Sequence, residues 1–189
     1  EGVEDIPGVA LAEGVSFDWQ SFPQYMDALD AMPHSLDFCV QVPHDPVRMA
    51  VMGERALAQQ AATADDIAAM RAIVREALLA GAAGFSTGRT DNHRTAAGRE
   101  TPASEASAAE LAGIGAAFEG LRHGVVQVVS DFDLLKDLQP PRDLRSRPPE
   151  GARAAGGGPA PRTSSFDAQF EVEERLAREG IAVFMCNAT

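Results

Sequence analysis

Three short apolar runs of the sequence each lead into polar residues that could do chemistry. His44 follows the first run, Ser86 and Thr87 close the second, and Ser130 with Asp131 follows the third. An imidazole binds substrate, carries a proton or ligates a metal, hydroxyls hold a carboxylate or an amide, and a carboxylate orients water or a cation. We therefore take these five residues as candidates for lining a substrate pocket.

Each candidate also has a purely structural interpretation. His44 can be a turn residue held by Asp45 and a neighbouring backbone group. Residues 84–90 can be an ordinary strand-to-helix turn, and Asp131 with Asp133 can cap the helical stretch that follows them. On residue type alone, the structural interpretation is the better one for each.

Metal ligands are not identifiable in the sequence. It contains no HxH, HExxH, paired CxxC, Walker or GxGxxG motif. Cys186 ends an apolar run and could supply one thiolate, although a lone buried cysteine is more often a small core residue. His34, His93 and His123 are isolated in the sequence, and we expect surface or turn positions for them.

Four helices are predicted from apolar residues at three- and four-residue spacing. They cover residues 22–31, 63–80, 107 to about 123, and 166–179. Thr63 is the expected N-cap of the second helix and Gly81 its terminating residue. Ser107 and Glu110 spell a capping box at the start of the third.

Four strands are predicted between these helices, at residues 36–42, 83–86, 125–129 and 181–186. Near-continuous apolar runs of this kind are typical of parallel strands buried on both faces. Strict alternation with helices leaves a doubly wound sheet or a (β/α)8 barrel as the main choices. If the fold is a barrel, about four of its eight strands are present, so residues 1–189 would form an internal part of that barrel domain, whose carboxyl-end face would gather the candidate residues.

Composition fits one globular unit with an interruption. The chain has 189 residues and 45% hydrophobic content, enough for a real core. Residues 139–165 break the pattern with Pro, Gly and Arg, and we predict a flexible insertion there. Because the insertion follows a strand, it would lie on the carboxyl-end face, either as a lid or, as we favour, as a segment without function.

Charge and cysteine content limit the partners. The formal net charge is -12, so nucleic acid and anionic membranes are poor partners. No run approaches the roughly 18 apolar residues of a membrane span, and two widely separated cysteines favour a reduced, cytoplasmic setting. The sequence starts at Glu1 without Met, and we expect a fragment of a longer protein.

Four segments occur together in a recognisable order: EGVEDIPGVALAEGVSFDWQSFPQYMDAL, QVPHDPVRMAVMGERA, TADDIAAMRAIVREALLAGAAGFSTGRTDNH and GVVQVVSDFD. Together they resemble the N-acyl-D-amino-acid deacylase family of the amidohydrolase superfamily, most specifically over residues 1 to about 95. Members of that family have a (β/α)8 barrel with a small accessory β domain, and they hydrolyse N-acylated D-amino acids with zinc. The resemblance thus implies an N-acyl amino acid as substrate and zinc in the complete protein.

The resemblance also implies which residues the sequence lacks. The family's HxH and Cys ligands would precede Glu1, and its catalytic Asp would follow Thr189. Two further histidine ligands come from the fifth and sixth strands, which correspond here to VVQVVSDFD and IAVFMCNAT, and neither segment contains histidine. No zinc ligand is therefore carried over, and only His44, Ser86 and Thr87 transfer as pocket residues.

Two functions follow from this comparison. The first is a fragment, inactive alone, of a metal-dependent hydrolase that deacylates N-acyl-D-amino acids. The second is a degenerate, non-catalytic barrel that has lost its metal site. In either case an incomplete barrel leaves strand edges open, so we expect the chain to self-associate.

Overall fold

The structure is a computed structural model that describes residues 6–90, 93–95, 97–130, 173–178 and 180–187. The predicted insertion at residues 139–165, the candidate Asp131 and the first part of the predicted helix 166–179 lie outside the described residues.

Four parallel strands form one sheet. They are β1 (Gln41–Pro43), β2 (Gly84–Arg89), β3 (Val125–Ser130) and β4 (Val183–Asn187), and neighbours in sequence are neighbours in the sheet. A doubly wound sheet reverses its strand order at a switch point, whereas a barrel adds each strand beside the previous one. The described strands follow the barrel order.

In the described residues, two helices precede the first strand, and further helices with one short 3-10 turn connect the strands. They are α1 (Gly8–Gly14), α2 (Phe22–Asp30), α3 (His44–Met52), α4 (Glu54–Leu57), α5 (Ala64–Leu79), α6 (Ala108–Gly115), the 3-10 turn Ala116–Phe118, and a helical stretch at residues 173–178. The predicted helices at 22–31 and 63–80 are confirmed. The helix from Ser107 is shorter than predicted, because the α-helix ends at Gly115 and tightens into the 3-10 turn.

The predicted strand at residues 36–42 is largely wrong. The observed strand begins only at Gln41, and the side chains of Leu36 and Phe38 are 78% and 53% exposed. Apolar composition alone suggested a buried strand, but a buried strand needs neighbouring chain on both faces. Residues 36–40 run outside the sheet, so their apolar side chains stay in contact with solvent.

Local sequence explains the boundaries of α5. The Thr63 side chain accepts a hydrogen bond from the Asp66 backbone N–H, and the Asp66 carboxylate accepts one from the Thr63 backbone N–H, which together form a capping box. Gly81 follows the helix with φ of +108°, a left-handed conformation that glycine adopts without steric cost. The apolar stripe of α5 is fully buried in the core, at Met70, Val74, Ala77 and Leu78.

The two faces of the sheet have different environments. Val42, Phe85, Val126 and Val128 point toward the helices and join the main core cluster with α5 and α6. Alternate residues point to the opposite face, where Ser86, Gln127 and Val129 are only partly buried. In a (β/α)8 barrel the helices lie outside, so this second face is the barrel interior.

Among the helices of the described residues, none is long and apolar enough to cross a membrane.

Candidate functional site

His44 is the first residue of α3 and lies directly after β1. Its ring is 1% exposed and packs against Phe85, with ring centroids 5.1 Å apart. His44 Nδ1 lies 3.0 Å from Thr87 Oγ1, and His44 Nε2 lies 3.1 Å from Glu110 Oε1. The predicted partner Asp45 does not hold this ring, because Asp45 Oδ1 instead accepts a hydrogen bond from the Ala103 backbone at 2.6 Å.

Arg48 lies one turn further along α3 and completes the buried cluster. Its Nε donates to Glu110 Oε1 at 2.8 Å, and its terminal nitrogens donate to the carbonyl oxygens of Pro102 and Gln60, each at 2.6 Å. Arg48 is 2% exposed and Glu110 is 1% exposed. We call His44, Arg48, Thr87 and Glu110 the buried polar cluster.

The charges of the cluster balance. Burial raises the pKa of the Glu110 carboxyl, but hydrogen bonds from His44 and Arg48, together with their charges, outweigh burial and hold that pKa below its ordinary value. Glu110 is therefore a carboxylate that neutralises Arg48. In this arrangement His44 Nε2 donates to the Glu110 carboxylate, and His44 Nδ1 lies within hydrogen-bond distance of the Thr87 hydroxyl.

Polar side chains around this cluster hydrogen-bond to residues 101–106 of the loop that follows β2. Besides the bonds from Arg48 and Asp45, the Gln59 side chain donates to the Thr101 carbonyl at 2.8 Å, and Arg89 donates to the Ala106 carbonyl. Residues 101–104 and 106 are buried. The loop is thereby fixed at the carboxyl-end edge of the sheet.

The structure separates the predicted site residues into two groups. His44 and Thr87 meet in the buried polar cluster on the helix side of the sheet. Ser86 points to the opposite, interior side, because strand residues alternate between faces and both of its neighbours, Phe85 and Thr87, face the helices. Ser130 ends β3 in register with Arg89 and Asn187, and Asp131 lies outside the described residues.

Arg48 and Glu110 are the residues that the sequence analysis missed. Glu110 was assigned to a capping box, and Ser107 does accept the Glu110 backbone hydrogen bond at 3.1 Å. The Glu110 carboxylate, however, turns inward to His44 and Arg48 instead of returning to the helix terminus. The sequence did contain one sign of this buried role: Glu110 is a charged residue beside Leu111 in a helix of largely apolar composition.

A second buried carboxyl belongs to Glu173, which is 7% exposed. No described residue hydrogen-bonds to Glu173 Oε1. Burial raises the pKa of Glu173, and the positive charge of Arg89 only partly offsets that rise.

The described residues do not provide a metal site. Within them, no group of three or more His, Cys, Asp or Glu side chains could hold a metal ion. The buried polar cluster does not fit a cation either, because its one carboxylate is already neutralised by Arg48. No chemical step is therefore assigned to a metal held by these residues.

Comparison with known proteins identifies the fold. A D-aminoacylase from Alcaligenes xylosoxydans xylosoxydans is 44% identical over 78 residues, which are 41% of this chain and 16% of that protein. A D-aminoacylase mutant in complex with CuCl2 matches 98% of this chain and 30% of its own, with a TM-score of 0.61 and 23% identity. A D-aminoacylase crystal structure described as defining a novel subset of amidohydrolases matches the same shares, with a TM-score of 0.60 and 24% identity. No protein-family model matches the sequence.

The chain therefore has the fold of part of a (β/α)8 barrel, as in the D-aminoacylase structures that it matches. The resemblance to the D-aminoacylase family that the sequence predicted is confirmed. The matched segment spans 16% of the length of the curated relative and 30% of the solved structures.

Proposed function

We propose that this chain is part of an amidohydrolase that cleaves the carbon–nitrogen bond of N-acyl-D-amino acids. The observation that carries the proposal is the 44% identity over 78 residues to a D-aminoacylase. The fold agrees with it, since nearly the whole chain superimposes on D-aminoacylase structures.

We assign this segment a wall of the substrate pocket and the scaffold behind it. Ser86 lies on the interior face in the middle of β2, and the carboxyl end of that strand leads to the barrel face where active sites are built. Its hydroxyl can hydrogen-bond the amide or the carboxylate of an N-acyl amino acid. His44 and Thr87 lie behind the same strand and fix its end in place.

We further propose that the complete protein uses zinc, as the family resemblance implies. A bound zinc ion would acidify water and polarise the scissile carbonyl. One related solved structure concerns the functional role of the binuclear metal centre in D-aminoacylase. Since the described residues offer no ligand group, the ligands would come from other parts of the protein.

The competing proposal is a barrel of the same fold that has lost its metal site. A specific observation favours it: VVQVVSDFD and IAVFMCNAT, the segments matched to the family's ligand-bearing strands, contain no histidine. A protein of this kind would keep the fold and the pocket but would not hydrolyse amides.

The complete protein, with the sequence that flanks this segment, separates the two proposals. Its zinc content is measured by elemental analysis, and its turnover is measured on N-acetyl- and longer N-acyl-D-amino acids, with the L-isomers as matched controls. Stoichiometric zinc with turnover of the D-isomers supports the hydrolase. Absence of both zinc and turnover after expression in zinc-supplemented medium supports the degenerate barrel.

A further inference from the structure

His93 lies against the carboxyl end of β2, although its isolation in the sequence suggested a surface or turn position. A methyl group at Gly88 would lie 3.3 Å from His93 Nδ1 and 3.9 Å from His93 Cε1. The first distance is tighter than an ordinary van der Waals contact, so the absence of a side chain at Gly88 gives the imidazole its room. His93 itself is partly buried.

The position of Gly88 shows which side of the sheet His93 occupies. Along β2, Phe85 and Thr87 point to the helices, so Ser86 and Gly88 face the opposite, interior side. An imidazole that contacts the open side of Gly88 therefore lies on the interior side, beyond Ser86 and at the end of the strand. Barrel enzymes build their active sites at this edge.

The chain around His93 is held in place on its far side. Arg94 and Glu100 form an antiparallel bridge, and the Thr95 backbone donates to the Arg99 carbonyl at 2.7 Å. Further along, Arg48 donates to the Pro102 carbonyl and Asp45 accepts from the Ala103 backbone, which holds that part of the loop in place. This anchoring limits the cost of ordering the imidazole when a ligand arrives.

We propose that His93 is a substrate-contacting residue, which donates a hydrogen bond to an oxygen of the N-acyl amino acid, and that Gly88 is required to seat its ring. The proposal rests on the proposed amidohydrolase function. It adds a residue on the interior side of β2 that neither the sequence motifs nor the buried polar cluster supplies.

Steady-state kinetics of the complete protein test the assignment with His93→Gln, Gly88→Ala and the double variant. The kcat/KM of His93→Gln should fall about 10- to 100-fold, the loss typical of one hydrogen bond to substrate, without a change in melting temperature. The kcat/KM of Gly88→Ala should also fall, because the added methyl group displaces the His93 ring. In the His93→Gln background, Gly88→Ala should lower kcat/KM little further, since the ring that the methyl group would displace is absent.

His34→Gln is the matched control, because the His34 ring is exposed and bonds only to the nearby Met32 carbonyl among the described residues. It should leave kcat/KM unchanged. If His93→Gln and Gly88→Ala both behave like His34→Gln in an active protein, the assignment of His93 is wrong while the hydrolase proposal stands.

If the wild-type protein shows no turnover, the hydrolase proposal fails and His93 is tested separately. The imidazole resonance of His93, assigned by its loss in His93→Gln, is followed by NMR during titration with N-acetyl-D-leucine. A saturable shift that Gly88→Ala abolishes supports the contact. A resonance that does not move up to a saturating concentration overturns it.

Discussion

Glu110 shows how a buried charge becomes part of a scaffold. Removal from water disfavours its charged form, and His44 with Arg48 restores that form through hydrogen bonds. Arg48 in turn needs Glu110, since its other bonds go only to uncharged carbonyl groups. Because each partner compensates the other, losing one leaves an unpaired charge in the interior, which costs more than the pair itself contributes.

Glu110→Ala should therefore lower the free energy of unfolding by about 3 to 5 kcal/mol, the range for breaking a buried ion pair. Urea unfolding followed by circular dichroism measures the change. Glu174→Ala is the control, because its exposed i,i+4 pair with Arg178 should contribute about 0.3 to 0.5 kcal/mol. Equal effects of the two substitutions would contradict a buried, mutually dependent pair.

The double variant Arg48→Met with Glu110→Leu provides a second check on the same pair. It removes both charges and fills the volume with apolar groups, so it should recover most of the stability lost in Glu110→Ala. A double variant no more stable than the single one would show that the bonds to the loop carbonyls, rather than the charge pair, dominate.

The ionised carboxyl of Glu173 should destabilise the folded protein, whereas that of Glu110 stabilises it. Burial raises the pKa of Glu173 in the folded protein, so the folded state binds its proton more tightly than the unfolded state does. Stability is therefore lost as pH rises from the unfolded carboxyl pKa of about 4.3 through the raised folded value, and the loss persists at neutral pH.

Glu173→Gln, which cannot ionise, should be more stable than the wild type at pH 7, and this advantage should shrink below pH 4. Thermal melts across this pH range measure the difference. Glu174→Gln on the same helical stretch should show no such advantage. A Glu173→Gln protein less stable than the wild type at pH 7 would mean that attraction to Arg89 outweighs burial.

At the scale of elements, the sequence predicted what local interactions determine. Thr63 and Gly81 mark the ends of α5 because capping and a left-handed glycine act within a few residues. The direction of the Glu110 carboxylate could not be predicted, because its partners lie 62 and 66 residues away. Ser86 and Thr87 were grouped as one motif, although the period of a strand sends them to opposite faces.

Two helices with the same cap chemistry provide a test of how packing controls stability. Ser21 and Thr63 each begin a capping box, but α2 has no buried residue whereas α5 fills the core. Thr63→Ala should lower the global free energy of unfolding by about 1 kcal/mol, the usual value of an N-cap. Ser21→Ala should change it by much less, because a helix with no fully buried residue can open without unfolding the core.

Urea titration gives the global values for both variants, and amide hydrogen exchange shows whether α2 opens locally in Ser21→Ala. Equal losses of global stability would show that α2 unfolds together with the core although none of its residues is fully buried.

At the scale of the whole molecule, the open edges of the sheet determine whether the chain associates. Among the described strands, β1 pairs only with β2, and β4 pairs only with β3. Beside β1 lies a groove of about 740 Å³ lined by aromatic and apolar side chains, including Trp19, Tyr25 and Val40. An open parallel edge beside apolar surface is a template for further pairing, which a closed barrel removes.

The isolated 189-residue chain should therefore associate through the β1 edge. Its mass by light scattering should exceed 19.9 kDa and rise with concentration. Leu36→Lys with Phe38→Lys places charges on the exposed apolar stretch leading into β1 and should shift the mass toward the monomer. Leu79→Lys is the matched control, since Leu79 is also exposed, at 65%, but ends α5 on the helix layer. A wild-type chain that stays monomeric and melts cooperatively would show that residues 1–189 cover their own edges, and the incomplete-barrel interpretation would then be wrong.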